Sequence, residues 1–284
     1  MVVTRHIADV IDFYDRHPIN EAQVRAALAR RGQEGRRLRP EDLYDWDQDH
    51  YGGLQAVHLL ARRADVGAGS RVLDVCAGLG GPARFLADRL GARVVALDLH
   101  AGRCLGSARL TRLVGLQRRV RVVRGDAQAL PFPTGCFTAV VSQEGLLHVE
   151  DKGRVLAECA RVLVSGGRLA FSDWIATSRL GVGERRRLGE WMAAAFIETI
   201  AGYRDRLGRA GFVGVEAEDL SAEWADVLRH RLALYRSSRA ETVARLGQAR
   251  YDEYDQLSVF FMELVERGKL GGARFSARAA RESV

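Results

Sequence analysis

Cysteine is scarce: there are four in 284 residues, none in a C-x-x-C pair, which excludes a disulfide framework and a zinc ribbon. No metal site is expected. Cys76 and Cys136 are expected in strands and Cys104 and Cys159 on helices, all as free thiols. No run approaches the ~18 apolar residues of a membrane-spanning helix. The start of the chain, with Arg5, Asp9 and Asp12, lacks the apolar stretch of a signal peptide, so a cytoplasmic protein with no membrane partner is expected. Long blocks of like charge are also missing. The formal charge is +7, but the basic residues are nearly all arginine and lie beside Asp and Glu in helical patterns, as at Arg185, Arg186, Arg187, Arg229 and Arg236. With no aromatic–basic stripe, they read as solvated helix faces and no nucleic-acid partner is expected. Repeats and low-complexity linkers are absent, so one domain with additions is expected.

What is present is an alternation. Residues 1–65 carry helical spacing at Ile7, Val10, Ile11 and Tyr14 and again at Val24, Ala27 and Leu28; Arg39-Pro40-Glu41 opens a short turn, and 45–53 is an aromatic, polar loop. From Ser70, apolar β runs at 70–76, 93–98, 119–124, 137–142 and 168–173 are separated by helical patterns or short crossings. Beyond them come helical stretches at 183–200 and 203–210, a sixth strand at 211–215, a long helical pattern from about 221 to 267, and a last strand at 273–277 lying antiparallel beside the sixth. Strands alternating with helices require a mostly parallel sheet covered on both faces. The expected fold is therefore α/β and Rossmann-like, with seven strands. Segment 1–65 is a helical N-terminal lid, and 66–284 is the main domain, with a helical cap at 175–268 that includes an insertion before the last strand.

Ligands of open α/β sheets bind outside the carboxyl ends of the strands, and there the polar residues gather. The first run, Val72-Leu73-Asp74-Val75-Cys76-Ala77, breaks into Gly78-Leu79-Gly80-Gly81, and Asp98 closes the second run 18 residues beyond Gly80. The glycines let backbone approach a ligand; Asp98 offers two acceptors to a ribose diol, or caps the next helix. Gly78, Gly80 and Ala83 also match a dinucleotide pattern, but Asp74 would repel a pyrophosphate, and Gly125-Asp126-Ala127 suits an adenine edge. Together they favour S-adenosylmethionine (SAM). Asp126 alone also suits an ordinary turn. After the fourth strand, Gln143 is placed to contact the cofactor, and Glu144 and His148 to accept a proton or orient an acceptor. His148, three residues before Asp151, equally suits a helix cap. Asp173 and Trp174 close the fifth strand and could hold a cationic acceptor, although a Trp there also suits packing.

The runs Val72 to Arg84, Leu97-Asp98-Leu99, Gly125-Asp126-Ala127, Leu130-Pro131-Phe132-Pro133 and Ser165-Gly166-Gly167-Arg168 resemble those of class I SAM-dependent methyltransferases. More narrowly, Asp47 to Gly53, Val75 to Pro82, Ser142-Gln143-Glu144 and Ser172-Asp173-Trp174 resemble bacterial sarcosine/dimethylglycine-type N-methyltransferases over about residues 44–174. The resemblance implies SAM as cofactor, bound by Tyr51, Asp74, Ala77, Gly78, Gly80, Asp98, Leu99, Arg103, Asp126, Ala127 and Gln143. Tyr51, Glu144 and His148 would stand at the reacting groups, and Glu144, His148, Asp173 and Trp174 at the acceptor. The expected reaction is N-methylation of a small amine or amino acid. O- or C-methylation of a natural product and RNA modification stay open, as does a homodimer.

Overall fold

The computed structural model describes residues 4–17, 19–32 and 36–280; residues 1–3, 18 and 33–35 of the N-terminal segment lie outside them. Seven strands form one sheet: β1 (Arg71–Val75), β2 (Arg93–Asp98), β3 (Val120–Arg124), β4 (Phe137–Gln143), β5 (Leu163–Ala176), β6 (Phe212–Asp219) and β7 (Leu270–Ala279). Their order is β3-β2-β1-β4-β5-β7-β6. β1 to β5 run parallel, and β7 inserts antiparallel to both β5 and β6. The parallel ladder aligns the strand ends that matter: Val75 lies opposite Leu97, and Asp98 opposite Arg124.

Both faces of the sheet are apolar because both are covered. Val72, Val94, Ala96, Ala139 and Val141 pack under α3 (Gly53–Arg63) and α4 (Gly81–Arg89). The alternate residues Leu73, Val75, Val140 and Phe171 pack with α6 (Lys152–Val162) and α8 (Ile200–Arg209). The N-terminal segment supplies α1 (Arg5–Asp15) and α2 (Glu21–Arg30), with α2 against α5 (Ala101–Leu113). α7 (Val182–Met192) ends where Ala193 turns left-handed, eight residues before the expected end of that helix.

The long pattern after β6 is three helices, α9 (Ser221–Ser237), α10 (Arg239–Leu246) and α11 (Gln248–Glu266). The break at Gly247, with φ 84°, helps α11 return and pack on α9. Helical periodicity runs through such a break because each piece keeps its own apolar face. The cysteines shift slightly from expectation: Cys76 sits just past β1 with φ 58°, and Cys136 just before β4. Among the described residues, no helix is long and apolar enough to cross a membrane.

Candidate active site

A cavity of about 220 Å³ opens at the carboxyl ends of β1, β2 and β4. Its floor is the first strand and turn, with Asp74, Cys76, Ala77, Gly78 and Leu79. One wall comes from Leu97 to His100 and from Gly125 to Gln128, and another from Gln143, Glu144, Gly145 and His148. The roof is α1, through Thr4, His6, Ile7, Val10, Ile11 and Tyr14.

The β1 turn has a physical reason for each glycine. Gly78 has φ 55°, a left-handed conformation that strains any residue with a side chain, and the Arg103 guanidinium lies in ordinary contact distance of where a Cβ would stand. Gly80 serves packing rather than ligand space: its Cβ would lie 2.3 Å from Ser107 Oγ of α5, and the residue is not in the cavity lining. A Cβ on Gly145 would lie 2.3 Å from that of Cys76, so the β1 and β4 turns sit back to back. Asp98 does two jobs: Oδ2 accepts from the Gly78 N–H at 2.7 Å and Oδ1 from the His100 N–H at 2.8 Å. The cap of α5 is instead His100, whose Nδ1 accepts from the Arg103 N–H; its Nε2–H therefore donates to Asp15 on α1. Asp126 closes its own turn by accepting from the Gln128 N–H at 2.8 Å while still lining the cavity.

Glu144 has φ 52°, a conformation unusual for a residue with a side chain. Its carboxyl accepts from the Tyr51 N–H at 2.7 Å, and burial pushes its pKa up to about 8. His148 Nδ1 meets the Ala193 carbonyl at 3.2 Å; a carbonyl only accepts, so Nδ1 carries the proton and Nε2 accepts from the Tyr14 hydroxyl at 2.9 Å. Burial lowers His148 to about 4, keeping it neutral, and raises the Tyr14 phenol well above its usual range. The cap expected of His148 falls to Asp151, which accepts from the Arg154 N–H.

Besides Gly80, three expected residues stand elsewhere. The Tyr51 ring packs edge-on against Trp174 and Trp224, with the Arg231 guanidinium 4.4 Å above it; only its backbone reaches Glu144. Trp174 is buried in that aromatic cluster with Phe261. Asp173 is fully buried, accepting from the Tyr203 hydroxyl at 2.5 Å and from the Leu147 N–H. Nor, among the described residues, does any of the expected acceptor cap 175–268 line the cavity. The reason lies in the sheet: β5 runs on to Ala176 and carries Asp173 and Trp174 into the packing between sheet and helices. Loop 45–53 is also less lid-like than its composition suggests. Asp47 forms a fully buried pair with Arg84, Asp49 pairs with Arg103, and Gly81 leaves room for the Asp47 carbonyl.

Residues 73–171 match the family described as "Methyltransferase domain". A glycine/sarcosine/dimethylglycine N-methyltransferase of Actinopolyspora halophila is 32% identical over 170 residues, 59% of this chain and 30% of that protein. A sarcosine/dimethylglycine N-methyltransferase of Aphanothece halophytica is 30% identical over 209 residues, 72% of this chain and 69% of that one. The chain belongs to the class I SAM-dependent methyltransferases. Among solved structures, a Haemonchus contortus phosphoethanolamine N-methyltransferase 2 with phosphomonomethylethanolamine and S-adenosylhomocysteine has the same fold. It superposes with TM-score 0.79 at 19% identity, covering 96% of this chain and 61% of that one. Against several curated relatives the chain spans only 30–55% of their length.

The methyltransferase's cavity fits SAM, the cofactor of its family. Two buried atoms there lack partners, Asp74 Oδ2 and Arg103 Nε. Burial and the neighbouring Asp98 charge push Asp74 up to about 8, so an ammonium beside it would draw it into its ionised form, while Arg103 offers a cation to a carboxylate. Asp98, Leu99, Asp126 and Ala127, expected at the ribose and adenine, all line the same cavity. Gln143 also lines the cavity, with its amide 3.2 Å from His50 Nδ1. Reading along the chain missed the roof, above all Tyr14. A signal existed: His6, Val10 and Tyr14 form one stripe of α1, and polar aromatic residues there are not needed to cover an apolar sheet.

Proposed function

We propose that this methyltransferase transfers a methyl group from SAM to the nitrogen of a small amine. The observation that carries the reading is the meeting of Glu144 with the uncharged Tyr14–His148 pair in the cavity that the strand-end carboxylates line. When bound, SAM supplies a methyl group already activated by a sulfonium. The chain's remaining tasks are to orient the acceptor, exclude water and remove a proton.

An amine enters as an ammonium and must lose a proton to expose its lone pair. Glu144 is the acceptor of that proton, with a pKa of about 8 that suits a base working near neutrality. Tyr14 donates its hydroxyl hydrogen bond to His148 Nε2, so its oxygen is left to accept from an acceptor N–H. His148 stays neutral and is held by Ala193, and α1 closes the space from water.

Labelled SAM offered with pooled small amines, phenols and bulk RNA tests the reading. Transfer to an amine supports it, and label entering only RNA would refute it. A second reading is methylation of carbon on an apolar acceptor, favoured by Ile7, Val10 and Ile11 in the roof. An isoprenoid alkene in the same assay separates the two.

A further inference from the structure

We infer that the acceptor amine carries neither a carboxylate nor a phosphate; this rests on the methyl-transfer reading above. It parts from the amino-acid acceptor that the sequence resemblance implies. The argument is one of charge. Arg103 is the one Lys or Arg among the described residues lining the cavity, and its guanidinium is already engaged. It pairs with Asp49, lies 4.4 Å over the Tyr14 ring, and reaches the Ile19 carbonyl. Its free Nε lies beside Gly78, on the side that fits the cofactor's own carboxylate.

Other cations nearby face away or are spent on backbone. Arg231 covers the outer face of Tyr51 and donates to the His50 carbonyl; Lys152 is buried and donates to the Val149 carbonyl. Imidazoles do not make up the deficit. His148 and His50 are kept neutral by burial, His100 accepts at Nδ1, and His6 spends its Nε2–H on the His148 carbonyl at 2.6 Å. An anionic group at the acceptor end would shed its water, find no counter-charge and face Glu144. A cationic amine meets Glu144 and the Tyr14 oxygen instead. Burying an anion without a counter-charge costs far more than a lost contact, and its field would hold Glu144 in the protonated form that cannot take the amine's proton.

Three acceptors of one shape test this: dimethylaminoethanol, its phosphate monoester, and dimethylglycine. Each is titrated calorimetrically into the full chain loaded with S-adenosylhomocysteine, and each is offered with labelled SAM. The expected result is binding and turnover of dimethylaminoethanol at least about tenfold better than of either anion-bearing partner. Ile7→Arg, which sets a cation in the roof, should narrow or reverse that order. A wild-type preference for an anion-bearing amine, or binding of none of the three, overturns the inference. Methylation of an alkene or phenol with no amine accepted would instead overturn the methyl-transfer reading itself, so the two failures are distinguishable.

Discussion

Replacing Glu144 by Gln separates the cost of burying this carboxyl from its work as a base. The residue is half-buried, its side chain accepts from the Tyr51 N–H, and its pKa is raised from 4.5 to about 8, chiefly by desolvation. Between those two values the unfolded chain has lost the proton while the folded chain keeps it. The folded state therefore binds more protons, and stability falls as pH rises through this window. At ~1.36 kcal/mol per pH unit, the whole interval amounts to roughly 4–5 kcal/mol, fully expressed above about pH 8. Gln keeps the shape and the acceptor for Tyr51 but never ionises. Urea unfolding of both proteins from pH 5 to 9 should show the variant gaining on wild type as pH rises, by several kcal/mol over the range. Other titrating groups largely cancel in the difference. The same substitution should lower turnover by about 10²–10⁴, the usual share of a general base, with cofactor affinity unchanged. It should also remove the rise of wild-type kcat/KM toward pH 8. Parallel stability curves would show that the Glu144 carboxyl is not held protonated, and full turnover would show that it is not the base.

Asp98→Ala removes the acceptor for the Gly78 and His100 N–H groups as well as for a ribose. At ~1.5–3 kcal/mol for a hydrogen bond to a charged group, calorimetry should find cofactor binding weaker by about ten- to a hundredfold; unchanged affinity would mean that the cofactor lies elsewhere. Asp47→Asn leaves Arg84 buried without its counter-charge and should cost about 3–5 kcal/mol in urea unfolding, whereas a loss under 1 kcal/mol would make the pair dispensable. Because α1 buries little beyond Ile7 and Val10 while loop 45–53 is pinned by two ion pairs, hydrogen exchange should be fast in α1 and slow in the loop. Cofactor should slow α1 most; an effect confined to the loop would return the lid to the Tyr51 region.

The sheet and the cofactor side of the cavity are written locally. Asp74, Gly78 and Asp98 fall within 25 residues, because a strand, a tight turn and the next strand end form one contiguous unit, and apolar runs alternating with helices leave a parallel sheet as the arrangement that covers both faces. Along the chain itself, however, the two readings of Asp98 cannot be told apart; three-dimensional placement shows it holding two backbone N–H groups and the cap passing to His100. Glu144 and His148 were legible at the end of the fourth strand, but the roof above them was decided by tertiary structure alone. Tyr14 and His148 stand 134 residues apart and meet because α1 lies across the strand ends, a docking that no periodicity encodes. Packing against α8, α9 and α11 drew Asp173, Trp174 and the Tyr51 ring into the interior, since a polar or aromatic residue at a strand end looks identical in sequence whether its side chain faces a ligand or a neighbouring helix.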